Sequence, residues 1–221
     1  VAVMDYKAKH PEKYTREEHY KTAARVVALV KTSACVKTEV FGLENLPQGT
    51  GYMMYPNHQG KYDILGIVHS HKKPCSFVMD EKKSNTVLVK QFVDLLEGKR
   101  LDKTDTRQGF KIIQEVSEEV KQGKPFILFP EGEYTYNNQN ILGTFKFGCF
   151  KIAQKSKVPI VPVTLVNSYK VFNSSCVGQI TTQVHYLKPI EYEEYKDLKT
   201  FQIADLVKSR IQNKLDEIVL T

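Results

Sequence analysis

A histidine and an aspartate stand five residues apart in a polar turn between two apolar runs. The pair is His58 and Asp63, and the apolar runs are residues 52–55 and 64–68, which predicts a strand, a tight turn and the start of a helix. On one continuous helix, residues five apart lie roughly 140° apart around the axis, so these side chains would not meet. Gly60 can supply the bend that brings them together. A carboxylate on one imidazole nitrogen leaves the other free to act as a general base toward a hydroxyl.

The same turn also fits a purely structural interpretation. Asn57 is a residue type that commonly caps a helix, and His58 would then be a loop histidine whose hydrogen bonds are satisfied locally. The turn alone leaves both interpretations open.

Two further loops carry charged side chains that could join this pair. They contain Lys99, Arg100, Asp102 and Lys103, and then Glu131, Gly132 and Glu133. Loops of an open α/β sheet converge beyond the carboxyl ends of its strands. Cations there could bind the phosphate of a phosphorylated alcohol while its hydroxyl faces His58. The simpler alternative is that the basic run is a solvated turn and that Glu131 caps the turn after it.

Strand and helix patterns alternate along the chain and predict an α/β layered fold with a mostly parallel central sheet flanked by helices. Strands are predicted at residues 38–41, 52–55, 75–79, 125–129, 158–163 and 180–187, and helices at 15–34, 87–96, 105–122, 145–155 and 203–218. Because Pro159 and Pro162 donate no ladder hydrogen bonds, their strand is predicted to be an edge or irregular strand. Residues 134–140 are predicted to be a polar loop.

The composition is that of a globular protein, and the charge favours anionic partners. Hydrophobic residues make up 41%, charged residues 26%, and the net charge is +7. Nucleic acid, an anionic membrane face and a phosphorylated small molecule all fit this charge, but no basic tract resembles a nucleic-acid-binding tail. The four cysteines lack a C-x-x-C pair, which indicates reduced thiols. No apolar run approaches the roughly 20 residues of a membrane span.

With no internal repeat, residues 1–221 are predicted to be one domain, in which residues 1–37 are a helical lead-in and 38–221 the core. Within the lead-in, residues 1–14 are polar and predicted to be irregular. Apolar residues then recur at helical spacing, as at Tyr20, Ala23, Val27 and Val30, which indicates a helix that docks on the core. A basic helix lying on a membrane surface is the alternative.

Four sequence blocks follow one another between residues 56 and 163. The first is N-H-x4-D at residues 57–63, the second G-K-R-L-D-K at 98–103, the third F-P-E-G at 129–132 with F-K-F-G at 145–148, and the fourth V-P-I-V-P-V at 158–163. In this order and spacing they resemble the glycerolipid acyltransferases, in particular the 1-acylglycerol-3-phosphate O-acyltransferase family. The second block is a weak likeness, since an arginine usually follows its aspartate. H-x4-D alone is a weak signal, but four blocks in order favour a catalytic His58.

The resemblance implies a reaction in phospholipid biosynthesis and a role for each block. His58, oriented by Asp63, would take the proton from the free hydroxyl of lysophosphatidic acid as that oxygen attacks an acyl thioester, with no acyl-enzyme intermediate. The other site residues would position the substrate and stabilise developing charge: Asn57, Arg100, Lys103, Glu131, Gly132 and Lys146. Residues 38–221 would be the catalytic core of a single acyltransferase domain.

The resemblance also implies partners and a location. The acyl donor would be acyl-CoA or acyl carrier protein, used as a substrate, with no cofactor and no metal. The other partners would be a lysophospholipid and a membrane surface, and not nucleic acid. The protein would work at the cytoplasmic face of a membrane, peripherally or anchored by a segment outside this sequence, which begins with valine.

One departure from the family pattern concerns the acceptor. The family often has Thr and Arg after E-G, and that Arg is implicated in phosphate binding, whereas this chain has Glu133 and Tyr134. Lys146 and Arg100 are the candidates to replace the missing cation. The acceptor could therefore be another lysophospholipid or alcohol. Two other classes stay open, a metal-dependent phosphoesterase and a non-enzymatic protein that binds anionic lipid.

Overall fold

A computed structural model describes residues 2–134, 140–172 and 178–219. These residues form a seven-stranded sheet with helices packed on its faces. The strands are β1 (Val36–Phe41), β2 (Met53–Pro56), β3 (Ser76–Asp80), β4 (Lys99–Leu101), β5 (Phe126–Ile127), β6 (Ile160–Val166) and β7 (Ile180–Tyr186). The helices are α1 (Ala2–Lys9), α2 (Arg16–Ser33), α3 (Asp63–Ser70), α4 (Glu81–Ser84), α5 (Val89–Leu95), α6 (Thr106–Lys121), α7 (Lys151–Ser156), α8 (Tyr192–Tyr195) and α9 (Thr200–Val219).

The strand order across the sheet is β1-β7-β6-β2-β5-β3-β4. β6 and β7 pair antiparallel, and the other neighbours pair parallel. The predicted α/β layered fold with a mostly parallel sheet is therefore confirmed.

Buried side chains of successive strand residues divide between two cores, one on each face of the sheet. In β2, Met54 packs in the core that α2 and α5 help to form, while Met53 packs in the core with α6 and α9. This follows from the geometry of a strand, in which consecutive side chains point to opposite faces. A strand covered on both faces needs apolar residues at every position, which explains the unbroken apolar runs in the sequence.

The prediction that residues 158–163 form an edge or irregular strand was wrong. β6 is an interior strand between β7 and β2, and all seven of its residues are buried. Pro159 lies before β6, where its carbonyl accepts from the N–H of Met53 at 3.1 Å. Pro162 lies within the strand and still accepts, from the N–H of Leu187 at 3.0 Å. The missing N–H of one proline is therefore tolerated inside this sheet.

The N-terminal residues are more regular than predicted. Residues 1–14 were expected to be irregular, but Ala2–Lys9 is the helix α1, and Met4 is 1% exposed in the core that includes α2 and α5. One buried side chain in a polar segment gives almost no periodic signal, which is why the pattern missed it. The helix predicted at residues 15–34 is confirmed as α2, which begins after Thr15 with a reciprocal cap between Thr15 and Glu18.

Two other segments differ in detail. The basic connection at residues 98–103 contains a short edge strand, β4, and α4 precedes the predicted helix at residues 87–96. The polar loop predicted at residues 134–140 falls mostly on residues 135–139, which lie outside the described ranges. Across residues 2–134, 140–172 and 178–219, no helix has both the length and the apolar character needed to cross a bilayer.

Candidate active site

The side chains singled out in the sequence follow the carboxyl ends of neighbouring parallel strands. His58 follows β2, Glu131 follows β5, and Lys103 follows β4, while β2, β5, β3 and β4 are adjacent in the sheet. Parallel strands present their carboxyl ends at one edge, so three loops distant in sequence meet there.

His58 and Asp63 are in direct contact. Nδ1 of His58 lies 2.7 Å from Oδ2 of Asp63, so Nδ1 carries the proton and Nε2 is left as a lone-pair acceptor. The chain bends between them as expected, with Asp63 as the first residue of α3. Gly60 does not have a positive φ, and a Cβ at position 60 would make only ordinary van der Waals contact, with the Cα of Tyr169 at 3.4 Å, so the bend does not depend on the conformational freedom expected of this glycine.

Asp63 is surrounded by hydrogen-bond donors. Its side chain is 0% exposed. Oδ2 also accepts from the backbone N–H groups of Gln59 at 2.6 Å and Gly60 at 2.9 Å. Oδ1 accepts from the hydroxyl of Ser168 at 2.5 Å. A buried carboxylate with four donors is fixed in one orientation, and the imidazole that it orients is fixed with it.

The imidazole of His58 is enclosed by two aromatic rings. Phe129 stacks on it at a centroid distance of 4.2 Å, and Tyr134 meets it edge-on at 4.7 Å. The side chain keeps 17% of its surface exposed, and no described residue hydrogen-bonds to Nε2. The ring is therefore held by its neighbours while part of it stays accessible to solvent.

Glu131 lies beneath this histidine and holds its backbone. Oε1 accepts from the N–H of His58 at 2.8 Å, and Oε2 accepts from the N–H of Gly143 at 2.9 Å. Burial raises the pKa of the Glu131 carboxyl, although both N–H donors act against that rise. Both carboxylate oxygens thus face protein backbone.

Asn57 makes a two-way contact with the backbone of β6. Its Nδ2 donates to the carbonyl of Leu165 at 3.0 Å, and its Oδ1 accepts from the N–H of Leu165 at 2.7 Å. Asn57 is 2% exposed. This side chain fixes the end of β2 against β6, just before His58.

Two lysines converge on Gly132. Nζ of Lys103 donates to the Gly132 carbonyl at 2.8 Å. The Lys146 side chain crosses the glycine so closely that a Cβ at position 132 would lie 2.9 Å from Nζ. Gly132 also has φ +74, a conformation that favours glycine. This residue therefore lets two cationic groups gather next to the loop that carries Glu131.

The other sequence-predicted cation lies apart from this pair. Arg100 lies in β4, and its guanidinium is paired with Asp94 of α5 at 2.5 Å. Lys83, which the sequence did not single out, lies 5.1 Å over the ring of Tyr134. That ring is the one that meets His58.

Sequence reasoning missed Ser168 and Gln59. The side-chain Oε1 of Gln59 accepts from the N–H of Ser168 at 3.0 Å, and its Nε2 donates to Asn140 at 2.6 Å. Ser168 stands 105 residues after Asp63, so no local spacing connects them. The available signal was weak, because Ser168 lies just after β6 but five residues beyond the end of the strand predicted at 158–163.

Within the described ranges, no cluster of three His, Cys, Asp or Glu side chains could hold a metal ion. Glu131 uses both oxygens on backbone N–H groups, and Asp63 is saturated by donors. The arrangement can thus orient an imidazole as a base beside clustered ammonium groups.

Several curated proteins are similar to this chain over most of its length. A 1-acyl-sn-glycerol-3-phosphate acyltransferase of Saccharomyces cerevisiae is 29% identical over 205 residues, covering 89% of this chain and 66% of that protein. The chloroplastic 1-acyl-sn-glycerol-3-phosphate acyltransferase BAT2 of Brassica napus is 29% identical over 213 residues, covering 93% and 57%. The chain thus spans from 57% to 66% of the length of these relatives.

A solved structure shares the fold. The crystal structure of the 1-acyl-sn-glycerophosphate acyltransferase PlsC from Thermotoga maritima superposes with a TM-score of 0.80 at 20% identity, covering all of this chain and 88% of that one. The sequence profile of the Acyltransferase family matches residues 37–166, which is more than half of the chain and includes His58, Asp63 and Glu131. The chain belongs to the Acyltransferase family.

Proposed function

We propose that this protein transfers a fatty acyl group from an acyl thioester to the free hydroxyl of lysophosphatidic acid, in phospholipid synthesis. The observation that carries the proposal is the contact of 2.7 Å between Nδ1 of His58 and the buried carboxylate of Asp63. Membership of the Acyltransferase family and the names of the relatives support this acceptor.

In the proposed reaction, Nε2 of His58 takes the hydroxyl proton as the oxygen attacks the thioester carbonyl. The C–O bond forms, the C–S bond breaks, and the proton leaves with the thiolate as a free thiol. Asp63 holds the imidazole in the required tautomer and stabilises the imidazolium during the transfer. Transfer is direct, since no serine or cysteine among the described residues donates to the histidine.

The acceptor phosphate is proposed to bind at Lys103 and Lys146, beside Gly132. Both ammonium groups converge there, on the loop that positions His58 through Glu131. An acceptor molecule with its phosphate at the two lysines and its hydroxyl at Nε2 would be held at two points. This lowers the entropy cost of reaching the transition state. Glu131 and Asn57 serve this arrangement by holding backbone, whereas Arg100, which is paired with Asp94, lies outside the proposed phosphate site.

The donor, the acceptor range and the site of action belong to the same proposal. The donor is acyl-CoA or acyl carrier protein, and no cofactor or metal takes part. Glu133 and Tyr134 stand where the family often has Thr and Arg, which favours a second candidate, a different lysophospholipid or alcohol as acceptor. The protein works at a membrane surface, at the cytoplasmic face, because both acceptor and product are lipids.

The test combines acyl-CoA or acyl carrier protein with a panel of lyso-acceptors and reads the product by mass. We expect product from lysophosphatidic acid, and a loss of at least about a thousandfold in kcat for His58→Ala, because the general base is removed. His10→Ala is the matched control, since His10 contacts only α1 residues at its ring. Wild-type activity in folded His58→Ala protein would refute the mechanism, and phosphate release inhibited by chelators would select a phosphoesterase instead.

A further inference from the structure

Two large aliphatic side chains lie next to each other, both exposed, in the turn between α4 and α5, which we call the α4–α5 turn (residues 85–88). Val87 is 79% exposed, the highest value among the large hydrophobic residues that the structure describes, and Leu88 is 51% exposed. Single exposed hydrophobic residues are ordinary on protein surfaces. An adjacent pair at the tip of a turn is a concentrated apolar patch.

The turn is held rigidly in a strained shape. Leu88 has φ 74 and ψ −47, close to the rare γ-turn conformation that leucine seldom adopts. The backbone N–H of Leu88 donates to the side chain of Gln91 at 2.9 Å, and the hydroxyl of Thr86 donates to the carbonyl of Lys83 at 3.1 Å. Strained residues that keep their side chains in water cluster at functional sites.

Lysines surround the aliphatic tip. Residues 81–90 contain three lysines, Lys82, Lys83 and Lys90, and one acid, Glu81, and all three lysines are exposed. Aliphatic side chains with a rim of lysine are the pattern of surfaces that enter the interface of an anionic bilayer. Lysine chains can also extend along the apolar layer while their charge stays at the headgroups.

The same segment is attached to the candidate active site at two points. Lys83 lies 5.1 Å over the ring of Tyr134, which meets His58 at 4.7 Å. Asp80 caps α4 by accepting from the N–H of Lys83 at 3.1 Å, and it also pairs with Lys103 at 3.3 Å. A bilayer at the tip of the turn would therefore lie beside the opening above His58.

We infer that the α4–α5 turn inserts Val87 and Leu88 into the interface of an anionic bilayer and so places the open side of the active site at the lipid surface. The inference rests on the proposed function, because the advantage of this position is that a lipid acceptor could reach the histidine without crossing water. The occupant is lipid rather than protein, since exposed lysines flank the two aliphatic side chains along the chain, Lys82 and Lys83 before them and Lys90 after them, and suit anionic headgroups.

Because the chain contains no tryptophan, a single introduced tryptophan can report insertion. In Leu88→Trp protein we expect the emission to shift to shorter wavelength, and to be quenched by brominated lipid, on mixing with vesicles of equal parts phosphatidylglycerol and phosphatidylcholine. Phe201→Trp is the matched control, because Phe201 on α9 is 50% exposed, nearly the same as Leu88. An unchanged spectrum at position 88, or an equal change at position 201, would overturn the inference.

Sedimentation with the same vesicles gives the second test. The double variant Val87→Ser with Leu88→Asn should bind about tenfold or more weakly, because two aliphatic side chains no longer leave water, and asparagine tolerates positive φ at position 88. Phe201→Ser and His58→Ala should bind like the wild type. Vesicle binding by the double variant equal to that of the wild type would refute a lipid occupant. A loss of acyl transfer seen only with acyl carrier protein as the donor would also refute it. Acyl transfer to an acceptor dispersed in detergent is measured separately. If the proposed function is wrong, that activity will be absent while the vesicle binding stays unaffected.

Discussion

Asp63 uses two carboxylate oxygens to organise groups from two distant loops. It accepts from His58, from two backbone N–H groups of its own turn, and from Ser168 after β6. The hydroxyl of Ser168 is the donor that occupies Oδ1. Without it, a fully buried carboxylate oxygen would lack a partner, and the carboxylate would be free to rotate away from the imidazole.

Ser168→Ala should therefore lower kcat by roughly tenfold or more with little change in KM, because small misplacement of a base is costly while substrate contacts stay intact. Steady-state kinetics with lysophosphatidic acid measures the two constants. Ser156→Ala is the control, since Ser156 is a buried serine of α7 that bonds only to backbone carbonyls. A larger effect on KM than on kcat would contradict a positioning role for Ser168.

Lys103 and Lys146 should control acceptor affinity, whereas Arg100 should not. We expect Lys103→Gln and Lys146→Gln each to raise the KM for lysophosphatidic acid about tenfold, because each removes a charge-assisted phosphate contact. Arg100→Gln is the comparison, since its guanidinium is paired with Asp94. Equal KM values in all three variants would place the phosphate elsewhere in the site.

At the scale of elements, the contact between β2 and β6 determines where His58 begins. These strands pair in register from Met53 opposite Ile160 to Pro56 opposite Val163. Just beyond the last pair, Asn57 continues the connection with its side chain, on the backbone of Leu165. The asparagine of the first sequence block thus acts as an extra rung of the sheet.

Asn57→Ala should cost about 2–4 kcal/mol of unfolding free energy, because it leaves the buried N–H and carbonyl of Leu165 unpaired. Urea denaturation measures the loss. Asn213→Ala, at an exposed position of α9, should stay near the wild type. A stable Asn57→Ala protein with a raised KM would instead support the substrate-binding role predicted from the sequence.

Local patterns were sufficient for most helices and strands and for the His58–Asp63 pair, because the signals for both lie within a few residues. The capped start of α2 at Thr15 and the alternation of strands and helices are such cases. The role of Glu131 was out of reach, because its two donors, His58 and Gly143, depend on how separate loops meet. The prediction for β6 failed for a similar reason, because the cost of the N–H that Pro162 lacks depends on the strands beside it.

At the scale of the whole molecule, a buried histidine outside the His58–Asp63 pair sets a limit on acid stability. His71 is 2% exposed. Its Nδ1 donates to the backbone carbonyl of Lys73 at 2.5 Å, and its Nε2 accepts from the hydroxyl of Tyr52 at 2.6 Å. Burial lowers the pKa of His71 from 6.5 to about 4. Its folded pKa lies below its unfolded value, so stability is full above about pH 6.5 and falls as the pH drops toward 4.

The His71 contribution should reach about 3 kcal/mol by pH 4, as its pKa shift implies. Urea unfolding between pH 7 and pH 4 measures it, as the difference in slope between wild type and His71→Gln. His185, whose pKa burial also lowers to about 4, is present in both proteins and cancels in that difference. Parallel stability curves for the two proteins would show that His71 does not titrate in this window.

The pairing of β1 with β7 has a consequence for how the chain reaches its folded state. Val36 of β1 lies opposite Ile180 of β7, and Ser168 reaches Asp63 across 105 residues. Contacts between such distant parts of a chain slow folding, because a long loop must close before they form. During synthesis, the first strand and the histidine turn leave the ribosome long before their partners exist. The contact between Asp63 and Ser168 therefore cannot form until residue 168 has emerged.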